Sequence, residues 1–307
     1  MKSVKKITGD WQKELKDFLL WKKSQGASER TLYDYNKHVN IFFRRHPDAL
    51  QNIETACMEY MSENIKPCTY NLRRAYLKCF CDYLMEDKLI KVNPFAKLPK
   101  RKVNDKIIDI PIDTLQKLLS IPDKNTFAGL RDYSFMLTML DCGVRPNEIL
   151  QLVISDFDFK HYCVTIPEQV AKTRHSRNLP LSIETVRAIT KLINYRPGDW
   201  KDDIPVFCSC EGETLGSDVM SRRFAYYSKK LDVYITPYAL RHCFALYYLR
   251  NGGGSLHLQT IMGHETLDMT RKYVALSDTD IKSSHNSYTP IKNVLPPKKT
   301  GVRKVKK

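Results

Sequence analysis

The 307-residue sequence lacks long apolar runs, and it has too few acidic residues to balance its basic ones. Its first residues, MKSVKKITGDWQKELKDF, are charged throughout, so we expect no signal peptide. No apolar stretch is long enough to span a membrane, so we expect no membrane span either. Lys and Arg number 50 against 34 Asp and Glu, which gives a formal net charge of +16. This excess favours a partner rich in phosphate, although a basic protein that binds nothing in particular would also fit the charge alone.

The sequence also lacks residue spacings typical of metal sites. Its nine cysteines are an odd number, and most lie in apolar runs, as reduced core cysteines of cytoplasmic proteins do. Cys79/Cys81 and Cys208/Cys210 have C-x-C spacing, whereas common zinc sites have C-x2-C. Asp, Glu and His form no cluster with ligand-like spacing either. We therefore expect no bound metal, which disfavours a metal-dependent nuclease.

The length of the chain favours two domains, because single cores rarely grow beyond about 250–300 residues. Residues 1–92 have only helical periodicity, with helix starts expected at Asp10, Ser28 and Pro67, and they predict one helical bundle. Residues 93–106 combine cations with two prolines and predict a basic linker. Such a linker would lie along phosphates or be a solvated loop.

The remainder predicts helices around a small antiparallel sheet, over residues 107–288. The alternating segment 157–166 is aromatic and β-branched, and it can pair with 177–181. Residues 289–307 predict a basic tail. The expected fold class is therefore mainly α with a small antiparallel β-sheet (α+β). Helical periodicity is clearest over 114–120, 126–142, 182–195, 217–231 and 237–250.

Cations and imidazoles that could surround a phosphate occur in three separated segments. In the first, Pro146 would start a helix and fix Arg145 just before it, while Glu148 can reach back to the guanidinium. An ordinary salt bridge at a helix end would explain the same residues. In the second, Arg241 lies on an otherwise apolar helix, where a buried guanidinium requires an anionic partner. Tyr238, one turn earlier, shares its face.

The third segment contains a glycine, a histidine and a tyrosine. Gly263 can end a helix in the left-handed conformation and leave His264 exposed at a turn. A new helix near Thr266 would then carry Tyr273. A single histidine or tyrosine is more often structural than catalytic, so the order of all three segments is the informative signal.

This ordered set resembles the tyrosine recombinase (phage integrase) family. The family boxes are G-x-R-x-x-E, H-x-L-R-H, and L-G-H with T-x-x-Y after it. The residues that match them are Gly143, Arg145 and Glu148, then Leu240, Arg241 and His242, then Gly263, His264, Thr270 and Tyr273. Tyr238 and Met262 depart from the pattern, because the family usually has His and Leu there. Lys172 precedes the segment 177–181 as a hairpin lysine precedes R-x-V-P-L in the family.

The resemblance implies a site-specific recombinase that cuts and rejoins DNA without metal, cofactor or ATP. Tyr273 would attack the scissile phosphate and form a covalent 3′-phosphotyrosyl bond. Arg145 and Arg241 would clamp the non-bridging oxygens, to which His264 would also donate. Lys172 would protonate the leaving 5′-oxygen.

Three further residues have less certain duties in this resemblance. Glu148 and His242 would support the catalytic set. Tyr238 can donate a hydrogen bond to the phosphate, but it cannot take up a proton near neutral pH as imidazole can. We therefore expect altered proton handling in an active enzyme.

The resemblance also implies an assembly on double-stranded DNA. The core-binding domain (1–92) and the catalytic domain (107–288) would form a clamp, and four copies would join two DNA sites, with accessory DNA-bending proteins as candidate partners. Such enzymes act in the cytoplasm, on phage, other mobile elements or the chromosome. A type IB topoisomerase-like enzyme and a DNA-binding protein without catalysis are the alternatives.

Overall fold

Residues 10–103 and 108–274 are described by the structure, a computed structural model, and they belong to two units, Met1–Asp105 and Lys106–Lys307. The predicted tail, 289–307, lies outside the described residues. Within the described part of the chain, no helix is long and apolar enough to cross a membrane. The predicted fold class is confirmed, since helices dominate and the sheet is small and antiparallel.

The first unit is helical, and three of its helices begin where the sequence predicts. The side chain of Asp10 accepts hydrogen bonds from the backbone at the start of the first helix, and Ser28 caps the second. Pro67 opens the fourth, where its missing N–H is no loss. Aromatic rings fill the core, as in the edge-to-face contact of Phe18 with Phe80. The helices are α1 (Trp11–Ser24), α2 (Glu29–Arg45), α3 (Ile53–Ser62), α4 (Pro67–Glu86) and α5 (Pro94–Lys97).

Helix α5 lies within the predicted basic linker, and it is packed on the first unit. Asn93 caps it, and its amide also donates to Lys78 and Asp82. Phe95 is fully buried against Phe42 in the helical core. Burying a phenylalanine side chain stabilises by about 1.5–3 kcal/mol. This apolar anchor explains why the described start of the linker segment is ordered despite its charge.

The second unit contains the sheet and the remaining helices. Helix α7 is its centre, because it packs against both α9 and α11 and is buried along most of its length. The helices are α6 (Ile112–Ser120), α7 (Phe127–Cys142), α8 (Pro146–Ile149), α9 (Ile183–Asn194), α10 (Ser217–Leu231), α11 (Pro237–Arg250), α12 (Ser255–Met262) and α13 (Leu267–Val274).

Among the residues that the structure describes, the sheet has three strands where the sequence suggested two. Segment 157–166 divides into β1 (Phe157–Asp158) and β2 (Cys163–Ile166), and β2 pairs antiparallel with β3 (Arg177–Pro180). The division occurs because Asp158 accepts hydrogen bonds from the backbone N–H groups of Lys160 and His161 and so forms a turn. Tyr162 completes this turn with a left-handed φ of 53°.

Candidate active site

One pocket of the second unit gathers side chains from four parts of the fold. They come from the start of α8, the loop between β2 and β3, α11, and α13 with the turn that precedes it. Each residue predicted to be catalytic lies on it, whereas their individual roles stay predictions. The lining residues are Arg145, Lys172, Thr173, Tyr238, Arg241, His242, His264, Glu265, Met269 and Tyr273.

Arg145 is fixed at the corner between α7 and α8. Gly143 ends α7 with a φ of 58°, a left-handed conformation that suits glycine. Pro146 then occupies the first position of α8, and Arg145 is the residue just before it, as predicted. The guanidinium donates to Glu148 Oε1 at 3.0 Å and to the carbonyl oxygen of Gly263 at 2.8 Å. Both bonds hold the fork-shaped donor group in one orientation.

Glu148 connects Arg145 to the hairpin behind it. Its carboxylate is buried and accepts hydrogen bonds from Arg145, from Arg177 and from the backbone N–H of Lys172, the last at 3.1 Å. Burial alone would raise the pKa of Glu148, but the bonds and charges of its partners, above all Arg177, outweigh burial and lower it. Glu148 is therefore an anion that aligns two guanidiniums and the start of the lysine loop.

Arg241 is 5% exposed and is held without a carboxylate partner among the described residues. Its guanidinium donates to the carbonyl oxygens of Gly143 at 2.5 Å and Met262 at 2.8 Å, and to Nε2 of His264 at 3.1 Å. The sequence predicted a buried guanidinium that requires an anionic partner, and the partners that hold it here include two backbone carbonyl oxygens. Both carbonyls lie at helix ends, where backbone oxygens are unpaired and partly negative.

Carbonyl oxygens orient Arg241 but do not neutralise it. Burial, followed by the charge of Arg145, lowers the pKa of Arg241 to about 10, so the group is still a cation at neutral pH. A buried cation next to a second cation is costly unless an anion joins them. The pocket is therefore electrostatically suited to a phosphate.

His264 is half-buried, although the sequence predicted an exposed side chain. Gly263 does end α12 in the left-handed conformation, with a φ of 60°. The ring is partly buried because its Nδ1 lies 2.8 Å from Oγ1 of Thr270, which is itself buried. Nε2 accepts from Arg241, since a guanidinium only donates, and the ring proton is therefore on Nδ1.

Tyr273 lies on α13 and is 6% exposed. Its hydroxyl oxygen is 2.6 Å from Nδ1 of His242, which follows Arg241 on α11. Tyr238 is 50% exposed at the edge of the pocket, and Lys172 is exposed on the hairpin loop. The proposed nucleophile is thus inside the pocket, and the proposed proton donor is on a segment that solvent reaches.

Arg177 was not predicted as a site residue from the sequence. Its guanidinium is largely buried, where it donates to Glu148 and to the carbonyl oxygen of Ile261 at 3.2 Å. It also approaches Gly263, since a Cβ there would be 3.3 Å from the guanidinium carbon. The signal available in the sequence was a cationic residue at the start of the predicted strand 177–181, which follows the loop that carries Lys172. Within the described residues, no group of His, Cys, Asp and Glu could hold a metal ion.

Comparison with known proteins places these residues in a family context. The model of the Phage integrase family matches residues 110–280. Tyrosine recombinase XerC from Myxococcus xanthus is 27% identical over 241 residues, which cover 75% of this chain and 79% of the relative. Tyrosine recombinase XerD from Chlamydia trachomatis is 26% identical over 282 residues, covering 87% and 92%.

Solved structures share the fold. The Tn1549 transposon integrase in complex with circular intermediate DNA has a TM-score of 0.70 and 17% identity, and the match covers 89% of this chain and 99% of that chain. A λ integrase dimer bound to a COC′ core site has a TM-score of 0.67 and 20% identity, covering 84% and 96%. Their resemblance extends over both units of the chain.

Proposed function

The chain belongs to the phage integrase family and is a tyrosine-type site-specific recombinase, and we propose that it cleaves and rejoins DNA through a 3′-phosphotyrosyl bond at Tyr273. The observation that supports this most directly is the shared pocket, which Tyr273 lines together with Arg145 and Arg241. Two fixed guanidiniums match the geometry of a phosphate and stay charged at neutral pH. We propose that they supply the positive charge the reaction needs, so that cleavage proceeds without a metal.

In this mechanism the scissile phosphate lies between the two guanidiniums, which stabilise the charge on its non-bridging oxygens. Tyr273 attacks the phosphorus while Lys172, on its exposed loop, gives a proton to the leaving 5′-oxygen. Tyr238 donates a hydrogen bond to the phosphate from the edge of the pocket. The phosphotyrosyl bond keeps the free energy of the cleaved bond, so a 5′-hydroxyl can reverse the step without ATP.

His264 has to change its hydrogen bonding to fill its proposed role. In the free protein its Nε2 accepts from Arg241 and has no proton to give. A bound phosphate would attract the Arg241 donors and, by its negative charge, raise the pKa of His264. Protonated Nε2 could then donate to the phosphate oxygen, while Thr270 continues to hold Nδ1.

The DNA-bound neighbours guide the proposed assembly. The Tn1549 integrase is in complex with circular intermediate DNA, and λ integrase is a dimer on a core site. We propose that residues 1–92 and 107–288 of this chain likewise grip double-stranded DNA, and that four copies join two sites in the cytoplasm, with DNA-bending proteins assisting. The basic segments 93–106 and 289–307 would contact phosphates.

Covalent trapping tests the proposal. A suicide substrate nicked beside the scissile phosphate loses its short 5′-hydroxyl fragment, so the protein–DNA adduct accumulates and denaturing gels reveal it in buffer with a chelator. Tyr273→Phe should abolish the adduct and keep DNA affinity, because one hydroxyl is lost while the guanidiniums remain. Tyr234→Phe is the matched control, since Tyr234 is 86% exposed and outside the pocket.

Three outcomes would contradict the proposal. An adduct that persists in Tyr273→Phe would assign the nucleophile elsewhere, and dependence on added magnesium would overturn the metal-free mechanism. Relaxation of supercoiled DNA that lacks any specific site would favour a topoisomerase-like enzyme.

A further inference from the structure

A close contact joins the proposed nucleophile to an imidazole whose duty the family boxes leave undefined. The hydroxyl oxygen of Tyr273 lies 2.6 Å from Nδ1 of His242, and the two rings are tilted by 43° with their centroids 5.6 Å apart. The contact connects α13 to α11, the helix that also carries Arg241. When Tyr273 is a phenol, its O–H can donate to Nδ1, which leaves the ring proton of His242 on Nε2.

A phenol must lose its proton in order to attack phosphorus. Its ordinary pKa is about 10, so it is protonated at neutral pH. The position at which the family usually has a histidine is Tyr238 here, and a second phenol is no base at this pH. The other imidazole of the pocket is engaged at both nitrogens, because His264 contacts Arg241 and Thr270.

We propose that His242 is the proton acceptor for Tyr273 during strand cleavage and the proton donor during rejoining. The inference rests on the proposed function. In cleavage the phenolic proton passes to Nδ1 of His242, the phenolate oxygen bonds to phosphorus, and the bond from phosphorus to the 5′-oxygen breaks as Lys172 gives that oxygen a proton. Rejoining reverses each transfer, so Lys172 regains its proton from the 5′-hydroxyl and Tyr273 regains its own from His242.

The surroundings of His242 suit a transient charge. The other charged or titratable groups that line the pocket are Arg145, Lys172, Tyr238, Arg241, His264 and Glu265. The guanidiniums stabilise the phenolate as it forms, which favours the transfer of its proton to His242.

Single-turnover cleavage of the suicide substrate over a range of pH tests this role. Rates would be measured from about pH 5 to about pH 10, which spans the ordinary pKa values of imidazole and phenol. His242→Asn places an amide oxygen near the position of Nδ1, so it can still accept the hydroxyl's hydrogen bond but cannot take the proton. His242→Phe removes both abilities at similar ring size. His257→Asn, an exposed change on α12, is the matched control.

We expect His242→Asn to slow cleavage by about 100-fold or more at neutral pH, the usual worth of a general base. Its rate should rise with pH towards the wild-type rate, because hydroxide replaces the missing base. His242→Phe should lose at least as much, and His257→Asn should match the wild type. A substrate with sulfur at the bridging 5′ position needs no proton on its leaving group, so it should rescue Lys172→Ala but not His242→Asn.

Several results would overturn the inference. They are a wild-type rate and pH profile in His242→Asn, rescue of His242→Asn by the 5′-sulfur substrate, or a wild-type profile without an imidazole titration step. The wild-type pH profile is measured without any variant. For the variants, thermal melting establishes that each one folds. If the wild-type protein formed no adduct at all, the proposed function itself would fail, whereas a wild-type adduct with unaffected His242 variants would reject only the role of His242.

Discussion

At the residue scale, the imidazole of His264 shows how its neighbours set its charge. Burial, and then the guanidiniums of Arg241 and Arg145, lower its pKa from 6.5 to about 4. The folded protein therefore binds this proton only below about pH 4, whereas the unfolded chain binds it below 6.5. Between these values the unfolded state holds more protons, so the stability present above pH 6.5 is lost as the pH falls towards 4.

We predict that His264→Asn makes the free energy of unfolding less dependent on pH within this window. Urea unfolding at several pH values would give the slope of the free energy of unfolding against pH for the wild type and for the variant. Slopes are compared because the variant also loses its contact with Thr270, which shifts the curve at every pH. His257→Asn should leave the slope unchanged, since its side chain is exposed. An unchanged slope in His264→Asn would mean that this imidazole titrates normally in the folded protein.

The residue scale also shows what could be predicted from the sequence. The bond from Arg145 to Glu148 was predictable, because it is local and Pro146 fixes its geometry. The carbonyl partners of Arg241 were not, because Gly143 and Met262 are distant from it in sequence and every residue type offers a carbonyl. The Tyr273 contact with His242 likewise depends on how α11 and α13 pack.

At the element scale, helix boundaries were predictable where a cap or a proline fixes them, and the hairpin was less so. Ser182 caps α9 and Thr236 caps α11, and periodicity gives the length of each. Segment 157–166 has the alternation of one strand, but the Asp158 side chain competes for backbone N–H groups and divides it. The alternation of apolar and polar residues predicts which face of a strand is buried. It does not predict that a side chain will take the backbone N–H groups that a longer strand would use.

We predict that Gly143→Ala, at the corner from α7 to α8, reduces both stability and cleavage. The residue has a φ of 58°, and a Cβ there would lie 2.2 Å from Cδ1 of Phe244. Backbone strain and the clash together should cost more than ~1 kcal/mol, and the corner would shift the carbonyl oxygen that holds Arg241. Adduct formation should therefore fall further than DNA affinity does, in assays of trapping and equilibrium binding.

Gly26→Ala provides the matched control for this corner. Its φ is 79°, but nothing lies within 4 Å of the added Cβ. Gly26→Ala therefore introduces the same kind of backbone strain as Gly143→Ala but no steric clash. It should lower stability modestly and leave the cleavage rate at the wild-type value. Equal cleavage losses in both variants would mean that global destabilisation, and not the position of Arg241, controls the effect of Gly143→Ala.

At the scale of the whole molecule, the net charge of +16 should govern how the chain binds DNA. We predict that affinity falls steeply with salt, because each phosphate contact releases counterions. Each contact makes the slope of the logarithm of the binding constant against the logarithm of the salt concentration more negative by about 0.9. Binding of Tyr273→Phe would be measured between about 50 and about 200 mM salt, so that covalent capture does not distort the equilibrium. A binding constant that is constant over this range would contradict the prediction.

The basic tail offers a direct test of where this charge acts. Deleting residues 297–307, which lie outside the described part of the chain, removes a run of Lys and Arg. The deletion should weaken binding and make the salt dependence shallower, because fewer counterions are released. The thermal transition should be retained, since the core residues that the structure describes in each unit all precede the tail. Loss of that transition would instead assign the tail a structural role, and an unchanged salt slope would place the phosphate contacts elsewhere in the chain.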